Sequence, residues 1–383
     1  MSFLYSSLTT GSSGALSNMS RRSSTDSFHD IKMLDLPRLE VDRQFYDVRL
    51  LASGWYTKIF VARHHKADDR VVLKCVQKGT TKKEDFFREF HYNYYLSPHP
   101  NVIKSFHVPF GTNSSYVFAQ ELAPEGDLSQ FVRRGGLGEM LTKRVAEQVA
   151  FALQFVHSKD LVHCDVTLDN ILIFDREMSR VKLGDFGNTQ REGSLVKKVN
   201  TRVPCIPPEV KEIVYNEGYH VHSSQDAWQL GILIFVCLTG SYPWSSADIT
   251  DHHYKSWVTW LKRKTNKPPS RFRCFTPRLL RLLRRLLEPK PEKRTSVKEV
   301  YKYITDSWLV KGMDPIDIAF DDASDASETT ANSLFKTAEK KLAELFRSYL
   351  RHPEPSIEVK QKKRVRFALD FGDDAVSEGE AYP

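Results

Sequence analysis

The stretch Val162-His163-Cys164-Asp165-Val166-Thr167-Leu168-Asp169-Asn170, with Asp185-Phe186-Gly187 downstream, decides how this chain is read. It places an isolated acid, Asp165, five residues before an amide, Asn170, and adds a second acid, Asp185, on a tight Phe-Gly turn. Such a set offers one base for a hydroxyl proton and two oxygen ligands for a hard cation.

The surroundings are those of a large folded unit. The chain has 383 residues, 40% of them hydrophobic, enough for two to three folding units or one two-lobed domain with tails. No apolar run is long enough to cross a bilayer, so no membrane partner is expected. The Ser-rich start lacks the apolar core of a secretory signal, and Met1-Ser2 excludes the glycine that myristoylation needs. Five scattered cysteines without a C-x-x-C pair point to a reducing compartment, with neither disulfides nor structural zinc. A cytoplasmic location is expected, with the nucleus as the alternative. His252-His253 and His220-x-His222 read as surface residues rather than metal ligands. The net charge of +8 draws on Lys262, Arg263, Lys264, Lys267, Arg271 and Arg273, which read as a solvated basic face. No aromatic-interleaved RNA-binding signature accompanies them, so no nucleic acid is expected.

Texture divides the chain. Residues 1–43 are rich in Ser, Thr and Gly and are expected to be disordered. Ile59-Phe60-Val61-Ala62 and Val71-Val72-Leu73 read as a hairpin. Lys82 to Leu96 reads as a helix, and Asn101 to Val108 and Tyr116 to Leu122 as two more strands. Helices dominate from there. Val145, Val149, Leu153 and Val156 form an amphipathic stripe, and Gln225 to Leu238 is apolar nearly all round. Ile171 to Phe174 and Val181 to Leu183 are short apolar runs, and Pro277 opens a further helix. Residues 313–333 read as an acidic linker, 334–351 as an amphipathic helix and 352–383 as a disordered tail.

Taken in order, these motifs resemble a eukaryotic protein kinase domain over residues 44–312, with an N-lobe at 44–122 and a C-lobe at 123–312. Leu51-Ala52-Ser53-Gly54-Trp55, Asp85 to Asn93, Leu96 to Pro100, Ala123 to Leu128 and Leu238 to Trp244 are most similar to the SH3-domain-binding serine/threonine kinase family. The resemblance implies an α+β, two-lobed fold, a small β-rich lobe over a larger helical one. It implies Mg²⁺-dependent transfer of the ATP γ-phosphoryl group to serine or threonine in a protein substrate, in intracellular signalling. Asp165 would handle the hydroxyl proton, Lys74 would grip the phosphates, and Asn170 and Asp185 would ligate Mg²⁺. Ala52, Ser53, Gly54, Trp55, Ile59, Gln120 (at the gatekeeper position), Glu121, Ala123 and Asp127 would line the nucleotide. Glu89 would pair with Lys74, His163 and Phe186-Gly187 would support the loops, Glu209 would pair with Arg294, and Asp226 would anchor a helix start.

The pattern has departures. Ala52 and Thr57 stand where the phosphate-covering loop usually carries glycines. Cys164 and Thr167 replace an arginine and a lysine of the catalytic loop, and Arg202 replaces a threonine. Arg202 is therefore expected to lend the missing cation. The alternative is a weakly active or inactive scaffold. Its tail motif, Arg364-Val365-Arg366-Phe367, resembles the R-V-x-F docking peptide for protein phosphatase 1, with a basic surface patch as the plainer reading.

Overall fold

Alternating apolar residues in the first third of the chain pair into one twisted sheet. A computed structural model describes residues 28–313, apart from 34, 55, 67–68, 108, 198–202, 215–216 and 264–266. Trp55, Arg202, the acidic linker, the amphipathic helix, and the tail with Arg364, Val365 and Phe367 lie outside the described residues.

The N-lobe sheet contains β1 (Phe45–Ser53), β2 (Thr57–His64), β3 (Arg70–Gln77), β4 (Phe110–Gly111) and β5 (Ser115–Glu121), in the order β1-β2-β3-β5-β4. The expected hairpin is present, with Phe60 opposite Leu73 and Val61 opposite Val72. A short α1 (Val41–Gln44) leads into the sheet, and α2 (Lys83–Leu96) packs Phe86, Phe87 and Phe90 against Phe118 and Val76.

The C-lobe is built on α3 (Glu139–His157), α5 (Ser224–Thr239), α6 (His252–Arg263) and α7 (Pro277–Leu286), with α4 (Pro208–Lys211) between α3 and α5. Short strands complete it: β6 (Leu161–Val162), β7 (Ile171–Ile173), β8 (Val181–Leu183), β9 (Gln190–Arg191), β10 (Leu195–Lys197) and β11 (Gly218–His220). The α3 stripe is buried, as its spacing requires, and every residue of α5 from Gln225 to Leu238 is buried. Full burial of one large aliphatic side chain is worth about 1.5–3 kcal/mol, so α5 is the main apolar support of this lobe. Pro277 occupies the first turn of α7, where its missing N–H costs nothing, and the Thr276 hydroxyl caps the helix by accepting from Leu279 N.

Three expectations are corrected. Residues 101–107 do not form a strand. The backbone bonds of the segment are shared between the lobes: Ile103 N donates to Leu183 O (2.9 Å), while Glu121 N donates to Lys104 O (2.9 Å) and Phe106 N to Ala119 O (2.8 Å). Extended backbone divided between two sheets cannot build a ladder in either. Next, the segment expected to be disordered up to residue 43 is packed from Phe28 onward. Finally, His253 is buried in α6, a helix whose inner face is aromatic (Tyr254, Trp257, Trp260) rather than aliphatic. His220 and His222 do lie at the surface, the first on Gly193 O (2.9 Å) and the second on Glu192 (3.0 Å). The Pro204-to-Pro207 stretch is folded rather than presented, with Pro207 buried.

Candidate active site

The hairpin of β7 and β8 converts sequence distance into proximity. Ile171 pairs with Leu183, and just beyond the pair Gly184 N donates to Asn170 O at 2.8 Å. Asn170 and Asp185 therefore emerge at the same end of the hairpin. The Asn170 amide donates to Asp165 O (2.8 Å) and to the Asp165 carboxylate (3.0 Å), which joins the acid to the same cluster.

Lys74 closes the group from the other lobe. On β3, buried, it reaches the Glu89 carboxylate of α2 at 2.5 Å and Asp185 at 2.9 Å. Burial works against its charge, but Asp185 and Glu89 outweigh burial and push its pKa up, so it remains an ammonium ion at any working pH. Burial pulls the Glu89 carboxyl upward against the pull of Lys74. Asp185 is also opposed by burial, yet Lys74 carries its carboxyl below the ordinary range. The four expected catalytic residues thus form one connected set.

The loop that presents Asp165 is strained and held from beneath. Cys164 and Asp185 adopt left-handed backbone angles (φ 65° and 57°), which cost a non-glycine residue about 1–2 kcal/mol. Asp226, fully buried at the start of α5, accepts from His163 N, Cys164 N and His157 Nε2, each at 2.8 Å. Gln229, one turn on, donates to Cys164 O (3.0 Å) and accepts from Val166 N (2.9 Å). His163 contacts Gly184 O (3.0 Å) and packs edge-on to the buried Phe186 at 5.0 Å. Gly187 N donates to Asp185 (3.2 Å). Glu209 meets Arg294 through two bonds (2.7 and 2.8 Å), and the guanidinium also lies over Trp228.

The nucleotide-lining set is more mixed. Ala52 and Ser53 end β1, opposite Ile59 and Lys58. Gly54 N donates to Thr57 O (2.7 Å), which closes the turn. The Gln120 side chain ties to Asn93 (2.9 Å) and Ser105 (3.0 Å) instead of standing free at the back of the cleft. Glu121 accepts from Lys104 N (2.7 Å) and pairs with Lys182. Ala123 is buried. Asp127 serves as a turn cap, accepting from Ser129 N and Gln130 Nε2, each at 3.0 Å.

Two contributors escaped the sequence reading. Asn188 donates to the Asp165 carboxylate at 3.2 Å, and Gln229 clamps the loop. Asn188 follows a recognised motif by one residue and Gln229 fills a variable position within another, and an amide in such a place carries no chemical signal until the fold turns it inward. Cys164 is half-buried, and desolvation pushes its thiol well above its usual pKa, so it stays neutral. All five cysteines are free thiols.

Oxygen donors suit Mg²⁺, and the site fits that ion in kind. The Asn170 amide nitrogen is committed to Asp165. Among the described residues no group of three or more His, Cys, Asp or Glu could hold a metal by itself. A two-residue oxygen site matches an ion that keeps water and substrate phosphates in its shell.

A family model described as "Protein kinase domain" matches residues 45–305. The chain is 42% identical over 279 residues to the serine/threonine-protein kinase SBK1 of Danio rerio, covering 73% of this chain and 72% of that one. It is 43% identical over 283 residues to the serine/threonine-protein kinase meng-po of Drosophila melanogaster, covering 73% and 62% respectively. Against the serine/threonine-protein kinase SBK1 of Mus musculus the identity is 39% over 281 residues, covering 73% and 67%.

Proposed function

The chain belongs to the protein kinase family as a serine/threonine kinase, and on that premise we propose that magnesium-bound ATP is its phosphoryl donor and a protein hydroxyl its acceptor. The observation that carries this is Lys74 held between Glu89 and Asp185 at 2.5 and 2.9 Å, with Asp165 bonded to Asn170 alongside. Asp165 orients the substrate hydroxyl and receives its proton as the new O–P bond forms and the bond to the β-phosphate breaks. Lys74 neutralises phosphate charge, and Asn188 and Asn170 fix the Asp165 carboxylate. Bound Mg²⁺, held by Asn170 and Asp185, would neutralise charge on the phosphates.

Activation is proposed not to need a phosphate at the position of Cys164. Supporting this, the segment after Asp185 is already tied down: Ser223 N donates to Glu192 (2.8 Å), Gly193 N to Val221 O (2.7 Å), and β10 pairs with β11. A phosphomimetic scan of Ser194, Thr189 and Thr201 is expected not to raise turnover. A strong rise would remove the idea. Arg202 is proposed to replace the cation lost at Thr167. Arg202→Ala should then lower turnover, and unchanged turnover would refute it.

Substrate preference for basic residues is proposed from Asp169, which is exposed, and from Asp127. A peptide array without Arg or Lys enrichment would contradict it. The tail motif at Arg364, Val365 and Phe367 is proposed to dock protein phosphatase 1. The double change Val365→Ala, Phe367→Ala should abolish phosphatase capture. A cytoplasmic signalling role is proposed as well, and fractionation of cells expressing the chain is its check. The transfer reaction is tested by phosphoamino-acid analysis of a labelled protein substrate: phosphoserine or phosphothreonine is expected, and the absence of both with ATP and Mg²⁺ present would refute the reading.

A further inference from the structure

The segment before the sheet is short of regular structure, yet it touches every hydrophobic cluster of the described residues. Phe28 and Ile31 pack on the large C-lobe core, Ile31 and Leu36 on the cluster beneath α2, and Leu39 and Val41 on the cluster under the sheet. Its backbone is also engaged. Gly111 N donates to Pro37 O (2.9 Å) and Leu39 N to Gly111 O (3.0 Å), so the segment lies along the edge strand β4. The Arg38 guanidinium donates to Asn113 in the adjoining turn.

At the other end, Phe28 sits on α2. Its ring meets His91 edge-on at 6.0 Å and Tyr95 edge-on at 5.8 Å, and stacks on Tyr92 at 6.5 Å. Its carbonyl accepts from His91 Nε2 at 2.7 Å. The ring nitrogen is the donor here, because a carbonyl oxygen only accepts.

Helical geometry gives these contacts a consequence. At 3.6 residues per turn, Phe86, Glu89, Phe90 and Asn93 share one side of α2, and His91, Tyr92 and Tyr95 share the opposite side. The first side faces the sheet and carries the carboxylate that holds Lys74. The second side is where Phe28 lies. An outward swing of α2, which would separate Glu89 from Lys74, is opposed by the segment behind it.

We propose that residues 28–33 and 35–40 form a strap that positions α2, with Phe28 a positioning residue acting through His91, Tyr92 and Tyr95 on the Lys74–Glu89 pair. The strap joins α2 to the β4 edge, so it fixes the helix relative to the strand system that carries Lys74. It does not touch the reacting groups. Its kinetic consequence rests on the kinase reading, whereas its structural consequence does not.

The test uses the full chain with Phe28→Ala, Phe28→Trp and wild type. Steady-state kinetics and amide hydrogen exchange are measured on each. For Phe28→Ala, kcat should fall on the order of tenfold to a hundredfold, as expected for a remote change that shifts a catalytic group by a fraction of an ångström. The KM for a peptide substrate should hold. Amides of α2 should lose protection while those of α5 keep theirs, because the opening is local. Phe28→Trp should restore both readouts. Should Phe28→Ala fail to accumulate as soluble protein, Phe28→Leu is read instead; it keeps apolar volume and removes the aromatic contacts. Wild-type kcat together with wild-type α2 protection would overturn the proposal. So would an equal loss of protection in α2 and α5, which would make the segment a general stabiliser. A wild-type protein without transferase activity would sink the kinase reading alone, and α2 exchange would still decide the strap.

Discussion

Replacing Asp226 by Asn removes one oxygen from a fully buried site that has three donors. The carboxylate is fully buried and accepts from His163 N, Cys164 N and His157 Nε2, all at 2.8 Å. One oxygen serves Cys164 and the other serves both His163 and His157. With the amide oxygen turned to Cys164, the new NH₂ faces the other two. His157 adapts by changing tautomer and accepting. His163 N–H then has no partner, and a buried unsatisfied donor costs about 1–3 kcal/mol. Loss of charge assistance in the surviving bonds adds about 1 kcal/mol, and the lower cost of burying a neutral amide offsets part of the sum. The net destabilisation is about 1–3 kcal/mol, read as a lower midpoint in urea at constant m. The same bonds hold the left-handed Cys164 next to Asp165, so kcat should fall on the order of tenfold or more. A variant with stability within about 0.5 kcal/mol of wild type and full turnover would show that Asp226 does not shape the loop.

Two glycines should respond in opposite ways. At Gly240 (φ 75°) a Cβ would stand 2.0 Å from Arg133 O, so Gly240→Ala should cost more than about 4 kcal/mol or prevent folding. At Gly54 the nearest atom, Thr57 O, is 3.6 Å away, so Gly54→Ala should leave the melting temperature nearly unchanged while raising the KM for ATP. The pH dependence follows from Glu89, whose carboxyl burial pulls upward, and Asp185, whose carboxyl Lys74 holds down. Because its folded pKa is raised, Glu89 favours folding on the acid side, and that contribution is lost as pH rises through the raised value. Asp185 contributes above its unfolded value, and its contribution is lost only as pH falls through its depressed one. Acidification therefore protonates Glu89 first and leaves Lys74 paired with Asp185 alone. The acid limb of kcat should lie above the usual carboxylate value of about 4.3, and Glu89→Gln should lower kcat and flatten that limb. A limb unmoved by Glu89→Gln would contradict the assignment.

The two-lobed architecture was legible because its signals are local. The hairpin at Phe60 and Leu73, the stripe of α3 and the apolar α5 each state their periodicity within a few residues. The catalytic set was legible because Asp165, Asn170 and Asp185 belong to spaced motifs. Other features depend on partners distant in sequence. Residues 101–107 look like a strand and divide their bonds between two sheets. Phe28 and Leu39 lack a period because their segment crosses three separate clusters. The buried face of α6 is tryptophan and tyrosine, set among histidines and lysines that read as surface. Asp127 differs in that its partners are local: besides carrying the acid expected for a ribose or a substrate cation, it also caps the turn at Ser129 and Gln130.

The central claim is that Asp165, coordinated by Asn170 and Asn188, serves a hydroxyl whose phosphoryl donor is steadied by Lys74. Transfer of labelled γ-phosphate from ATP by the purified full chain, compared with Asp165→Asn, tests it most directly. Incorporation into a protein substrate by wild type, reduced at least about a hundredfold in the variant, is the expected result. Equal incorporation by both proteins would contradict the account.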